Sequence, residues 1–213
     1  MSNVLIDSTY MTGIANAIRT KSGTQDTYLP SEMPSAINNI PSGGGGAPNY
    51  PLNNGKNNIW IVIDTPNQSV SITVGTSGDT VDWGDGTTDA NTTHTYLTVG
   101  IYCITANSLT SVTDNSIVLY AEYNNTVTLP DYSKNTIKKI KLNNSNFTSI
   151  SDYQFQYSSL KKIDIPYITS VGKYAFYDCF HLTGNISSSL ITNVGEAAFQ
   201  STNITFLPVQ IYI

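Results

Sequence analysis

Thr148-Ser-Ile-Ser-Asp-Tyr-Gln-Phe155, Thr169-Ser-Val-Gly-Lys-Tyr-Ala-Phe176 and Thr192-Asn-Val-Gly-Glu-Ala-Ala-Phe199 state one pattern three times, with starts 21 and 23 residues apart. A period of that length predicts a solenoid in which each repeat is one coil stacked on the last. Between these segments runs a second register: Ile137-Lys-Lys-Ile-Lys-Leu142, Leu160-Lys-Lys-Ile-Asp-Ile165, Leu182-Thr-Gly-Asn-Ile186 and Ile204-Thr-Phe-Leu-Pro-Val209. Three of the four share spaced apolar positions that would point into the solenoid, and the irregular third predicts a bulge or a shift. Ile117-Val-Leu-Tyr-Ala and Val127-Thr-Leu129 would seed an earlier, looser coil.

Together with Ala175-Phe-Tyr-Asp-Cys-Phe-His-Leu182, the pattern resembles the BspA-like class of leucine-rich repeats over roughly the last ninety residues. The resemblance implies two internal ladders, one of Phe155, Phe176 and Phe199 and one of Ile150, Val171 and Val194. The phenylalanines are then core, not a ligand box. Because about three coils are needed for a stable stack, loss of one would unfold the set.

Binding would fall to the residues between the ladders. Lys138 and Lys161, and Lys139 and Lys162, occupy equivalent positions on successive coils, roughly 5 Å apart, with Asp164 beside the Lys141 position to offset the repulsion. They read as a basic patch for an anionic cell-wall polymer or as a solvated face with splayed chains. Tyr153, Tyr157, Tyr167, Tyr174 and Tyr177 would offer planar faces to sugars or would cover the solenoid's turns. The candidate ligand-binding set is Lys138, Lys139, Lys161, Lys162, Tyr157, Tyr167 and Tyr177.

Upstream, Ile59-Trp-Ile-Val-Ile63 is continuously apolar, as a central strand is, and Val70-Ser-Ile-Thr-Val74 alternates like a strand with one buried face. Val81-Asp-Trp-Gly-Asp-Gly-Thr87, His94-Thr-Tyr96 and Gly100-Ile-Tyr-Cys-Ile-Thr105 follow. These residues resemble the polycystic-kidney-disease-type (PKD) immunoglobulin-like sandwich. Trp83 is expected in the core, Gly86 in a turn that tolerates positive φ, and the Tyr96 and Tyr102 rings inward with their hydroxyls partnered. Asp79, Asp82, Asp85 and Asp89 read as part of the turn motif rather than a calcium loop, and His94 as structural.

At the N-terminus, Met11, Ile14 and Ile18 share one face of a predicted short helix, and Met33, Ile37 and Ile40 one face of a second. Helices this short need a partner surface. Ile14-Ala-Asn-Ala-Ile-Arg-Thr-Lys-Ser-Gly23 and Thr27-Tyr-Leu-Pro-Ser-Glu-Met33 resemble a segment at the N-terminus of tail and other appendage proteins of phages and prophages of Gram-positive bacteria. That resemblance implies a virion-docking and oligomerising module, trimeric by analogy. Gly43-Gly-Gly-Gly46 would let it move independently of the rest of the chain.

The expected fold is therefore mainly β and modular: a helical docking segment over 1–46, a PKD/Ig-like sandwich over 56–123, and BspA-like repeats over 124–213. Charged residues are only 12% of the chain and the net charge is -5, with one Lys against seven acids in 56–125 and seven Lys against five in 126–213. A nucleic-acid footprint is thus not expected. No apolar run reaches the roughly 18 residues of a membrane span, and the start lacks a signal-peptide pattern, so the reading is a protein made in a host cytoplasm and carried on a virion. Cys103 and Cys179 fall in different parts and read as buried small hydrophobes. With no paired catalytic carboxylates, metal-ligand cluster, phosphate loop or nucleophile motif, no enzyme, metal or cofactor is expected. The functional expectation is a tail-fibre- or baseplate-type appendage protein that attaches to a host cell-wall glycan or surface protein. A head fibre or capsid decoration protein and a bacterial surface adhesin are the alternatives.

Overall fold

The computed structural model describes residues 50–113, 117–125, 136–186 and 190–206. The predicted N-terminal helices, with Met11, Ile14, Ile18, Met33, Ile37 and Ile40, lie outside the described residues, as do Val127–Leu129 and Leu207–Val209. Among the described residues every regular element is a strand.

Strand β1 (Asn57–Ile63) is central, as its continuous hydrophobicity predicts. It pairs antiparallel with β6 (Gly100–Ala106) on one side and with β8 (Ile117–Tyr123) on the other. Beyond β6 lie β3 (Val81–Asp82) and β4 (Thr88–Asp89). A smaller sheet, β5 (Thr93–Tyr96), β2 (Gln68–Val74) and β7 (Leu109–Thr113), packs its apolar face against this one. Ile59, Ile61, Val70, Ile72, Trp83, Tyr96, Tyr102 and Ile104 fill the space between.

The Trp83 turn holds as its chemistry dictates. Asp82 accepts from the Gly84 amide at 2.9 Å and Asp85 from the Thr87 amide at 3.0 Å, while Gly86 takes φ 95°. Gly84 is obligatory, because at φ 80° a Cβ would sit 2.6 Å from the Cys103 carbonyl oxygen. Tyr96 donates its hydroxyl to the Trp83 carbonyl at 2.9 Å, and Tyr102 donates to that of Thr98 at 2.9 Å. His94 stacks on Trp83 with centroids 4.9 Å apart and places Nε2 2.7 Å from Asp85, so it ties the turn to the core tryptophan.

The repeats do not begin a separate sheet. The far edge of β8 pairs in parallel with β9 (Lys139–Leu142), which pairs with β11 (Lys162–Asp164), so one seven-stranded sheet runs from the sandwich into the solenoid. The division drawn at 123/124 falls at the end of a strand that belongs to both neighbours. The solenoid's second face is a parallel stack of β10 (Ser149–Ile150), β12 (Ser170–Val171) and β14 (Asn193–Val194). Inside, Phe155, Phe176 and Phe199 stack with centroids 5.2 and 5.1 Å apart and planes within 8°.

The irregular third segment does shift. β13 (Thr183–Asn185) pairs with β15 (Asn203–Phe206) across a register break at Gly184/Asn185 and leaves the large sheet. Where β9 and β11 carry buried Ile140 and Ile163, this strand has Gly184 at φ 89°. A cleft of about 150 Å³ opens there, lined by Lys162, Ile163, Leu182, Thr183, Gly184 and Ile186.

Candidate functional site: the turn face and the lysine rows

The solenoid's third face is made of turns at 152–157, 173–178 and 196–201. Each contains two residues in the left-handed region: Tyr153 and Tyr157 (φ 60° each), Tyr174 and Asp178 (53° and 57°), Ala197 and Ser201 (51° and 61°). Alternate amides of the first two turns are aimed at the next coil. Tyr153, Phe155 and Tyr157 accordingly donate to the carbonyls of Lys173, Ala175 and Tyr177 at 3.0, 2.8 and 2.9 Å. Tyr174, Phe176 and Asp178 donate in the same way to Glu196, Ala198 and Gln200.

This backbone fixes where the tyrosines stand. The Phe155 ring between the two left-handed residues points inward, and the Tyr153 and Tyr157 rings are left outside, 51% and 66% exposed. Tyr153 stacks on Tyr174 at 5.5 Å with planes 10° apart, Tyr174 meets Tyr177 at 5.3 Å and 68°, and Tyr177 meets Tyr157 at 5.9 Å and 89°. Of the predicted tyrosines, Tyr157 and Tyr177 are thus brought together with Tyr153 and Tyr174. Tyr167, 40% exposed, stands apart on the connection between β11 and β12. The cluster's rim is an ion pair that sequence reading did not single out: Lys173 Nζ lies 2.7 Å from Glu196 and 5.3 Å from the Tyr174 ring centre. The Lys173 hydrogen bond and charge hold the Glu196 carboxyl below its ordinary range, and Glu196 in turn raises the Lys173 ammonium and the Tyr174 hydroxyl.

The lysine rows have the expected register. Lys139 faces Lys162 across β9 and β11, Lys141 faces Asp164, and the Lys161 amide donates to the Lys138 carbonyl at 2.7 Å. Lys161 and Lys162 are exposed, while Lys138 and Lys139 are half-buried. What the sequence did not disclose is a strap over this face, residues 50–56. Tyr50 lies flat on Tyr120, 4.4 Å away with planes 2° apart, edge-on to Trp60, and Lys139 Nζ sits 5.2 Å from its ring centre. Buried Glu122 accepts from the Leu52 and Asn53 amides at 3.0 and 3.2 Å and from the Asn58 side chain at 3.2 Å. Lys141 donates to the Asn53 side chain at 2.7 Å and lies 3.9 Å from Glu122. The chain's own backbone and side chains therefore occupy Lys139 and Lys141.

Elsewhere, polar side chains have local duties. Asp79 accepts from the Ser108 amide and Asp89 from the Trp83 indole at 3.0 Å. Cys179 is buried and donates to the Phe155 carbonyl at 3.0 Å; Cys103 is half-buried, and burial pushes its thiol up to about 12. Among the described residues no three His, Cys, Asp or Glu side chains gather as a metal site would require.

A sandwich whose main sheet continues into a solenoid of about three turns, with an exposed tyrosine cluster on the turn face, defines the architecture. Residues 125–212 match the BspA type leucine rich repeat region in six copies, so BspA-like leucine-rich repeats make up the C-terminal part. No curated protein and no solved structure matches the chain.

Proposed function

We propose that the protein is a non-enzymatic attachment protein whose repeats present the turn-face tyrosines to a cell surface. One observation carries this reading: Tyr153, Tyr157 and Tyr174 hold left-handed backbone conformations while their rings stay outside the core. That conformation costs an L-residue roughly 1–2 kcal/mol and is least costly for Gly or Asn. Neither backbone preference nor burial accounts for tyrosine there, and an outlier of this kind points to function. The BspA-like repeats favour an adhesin-like, surface-facing role.

The finer reading is a tail-fibre- or baseplate-type appendage of a phage or prophage of a Gram-positive host. Its support is the resemblance of 14–23, 27–33 and Ala36-Ile37 to appendage N-termini and of the Trp83-Gly-Asp-Gly turn to PKD-type modules. In this reading the N-terminal segment docks to other virion proteins and oligomerises, as a trimer by analogy. The repeats meet a host glycan or surface protein, so that avidity compensates for a shallow site. A bacterial surface adhesin is the second reading, favoured by the repeats alone.

The test is adsorption of the fluorescently labelled full chain to Gram-positive cells. Tyr157→Ala and Tyr153→Ala should reduce retention severalfold with the fold intact by circular dichroism. Unchanged retention would remove the turn face from the attachment reading. Mass spectrometry of purified particles separates appendage from adhesin.

A further inference from the structure

Building on the attachment reading, we infer that the turn face takes a neutral pyranose chain rather than an anionic wall polymer or a protein. An anionic polymer needs unpaired cations beside its contact surface. Next to the tyrosines, Lys173 is neutralised by Glu196 at 2.7 Å. On the strand face, Lys139 and Lys141 are held by the strap, and Glu122 and Asp164 interrupt the row. Among the described residues of these rows Lys138, Lys161 and Lys162 remain, and they belong to the strand face rather than to the turns that carry the ring cluster.

A protein partner needs a broad contact, about 800 Å² on each side for a standard interface. Among the described residues the aromatic patch is four tyrosine rings. It belongs to two coils and stops at the third, where Ala197 replaces Tyr174 and Gln200 replaces Tyr177. A patch two coils long suits two or three sugar units.

The ring geometry suits a sugar's amphipathic shape. A pyranose has an apolar face of axial C–H groups and a girdle of hydroxyls, which match a tyrosine's ring face and polar tip. Among the described residues Tyr157 touches one other ring, edge to face, and it is 66% exposed, which leaves ring surface open to a ligand. The contacts among Tyr153, Tyr174, Tyr177 and Tyr157 hold the rings in place before binding, and a tyrosine has few rotatable bonds to immobilise. Gln156 and Gln200 stand at the equivalent positions on either side of Tyr177 and supply neutral amides for the hydroxyls.

The experiment is saturation-transfer NMR and calorimetry on the full chain with cellohexaose and chitohexaose as neutral probes and poly(glycerol phosphate) as the anionic one. At least one neutral hexaose should receive saturation at its ring C–H protons. Its affinity should change less than twofold when NaCl is raised about tenfold, because no ion pair is involved. Tyr157→Ala should weaken it about tenfold, roughly one lost stacking contact, while Lys161→Ala with Lys162→Ala should leave it unchanged. Salt-sensitive binding of poly(glycerol phosphate) that is lost in the lysine variant overturns the inference. So does silence of both hexaoses. If that silence comes with Tyr157-dependent cell adsorption, the attachment reading stands and only the ligand class falls. Adsorption independent of Tyr157 removes both.

Discussion

At Gly172 a Cβ would lie 2.6 Å from the Asp152 amide nitrogen, and at Gly195 one would lie 2.5 Å from that of Lys173. Each glycine is where a coil's backbone rests on the coil before it, and the first coil has Ser151 at the equivalent position. Gly172→Ala should therefore destabilise by about 3 kcal/mol or more, since backbone rather than a mobile side chain must move, as urea unfolding would measure. Tyr157→Asn should do the opposite, raising stability by about 0.5–1 kcal/mol while weakening surface binding, because asparagine tolerates the left-handed region better. The phenylalanine period was legible because the same residue recurs at one offset in all three coils. The left-handed positions were not, since Tyr, Asp, Ala and Ser fill them without a shared signature. Acid should act mainly on the sandwich. Against the opposing effect of burial, hydrogen bonds from Ser108 hold Asp79 below the ordinary aspartate value, and those from His94 and Thr87 do so for Asp85; the Trp83 indole does so for Asp89. Such groups bind protons more weakly folded than unfolded, so their stabilisation is complete above the ordinary value of about 3.9 and is lost as pH falls through the depressed ones. The urea midpoint should be flat from about pH 7 to 5 and decline below about pH 4, less steeply in Asp85→Asn.

Strand β8 shows how an element can be legible in kind and hidden in role. Its apolar run reads as a loose first coil, and it does form the first rung beside β9, yet its other edge completes the sandwich sheet. The start of β1 misleads in a related way. Asn57 and Asn58 are of a residue type common in turns, but both are fully buried. The Asn57 side chain donates to the Leu109 carbonyl at 3.0 Å and accepts from the Asn124 and Asn125 amides at 2.7 and 2.8 Å, fastening the exit of β8. No local pattern announces such partners, because they lie far away along the chain. The strap over 50–56 has the same non-local origin, with Glu122 as its anchor some seventy residues downstream. Glu122→Gln keeps the shape but replaces an acceptor-only group with one that also presents donors to the strap amides. It should cost about 2–3 kcal/mol, near the value of a buried charge-assisted bond. Release of the strap should appear as faster trypsin cleavage after Lys56 and loss of near-ultraviolet dichroism from the Tyr50–Tyr120 stack. Cleavage at the wild-type rate would mean that Tyr50 rather than Glu122 holds the strap.

For the whole molecule the shared sheet alters what the sandwich does. In the sequence the modules succeed one another, and the sandwich would be a spacer or an adhesive module between the N-terminal segment and the repeats. The strap instead crosses from Trp60 and Tyr120 to Lys139 and Lys141, so the chain enters the described structure beside the first repeat strands. A sandwich joined in this way should brace the side of the solenoid, and its core and the repeat core form one cluster. Two modules joined by a flexible linker unfold separately, whereas two that share a central sheet and a core should unfold together. Both tryptophans, Trp60 and Trp83, lie in the sandwich, so their fluorescence reports that part alone. Hydrogen exchange at the Phe155 and Phe176 amides, which bridge the coils, reports the solenoid. In the intact chain the two probes should give coincident urea midpoints. Gly172→Ala, a change confined to the repeats, should lower both by the same amount. If it moves only the exchange of the coil amides and leaves tryptophan fluorescence in place, then the β8–β9 pairing does not couple the two parts. In that case the sandwich would brace nothing, and the spacer role would return.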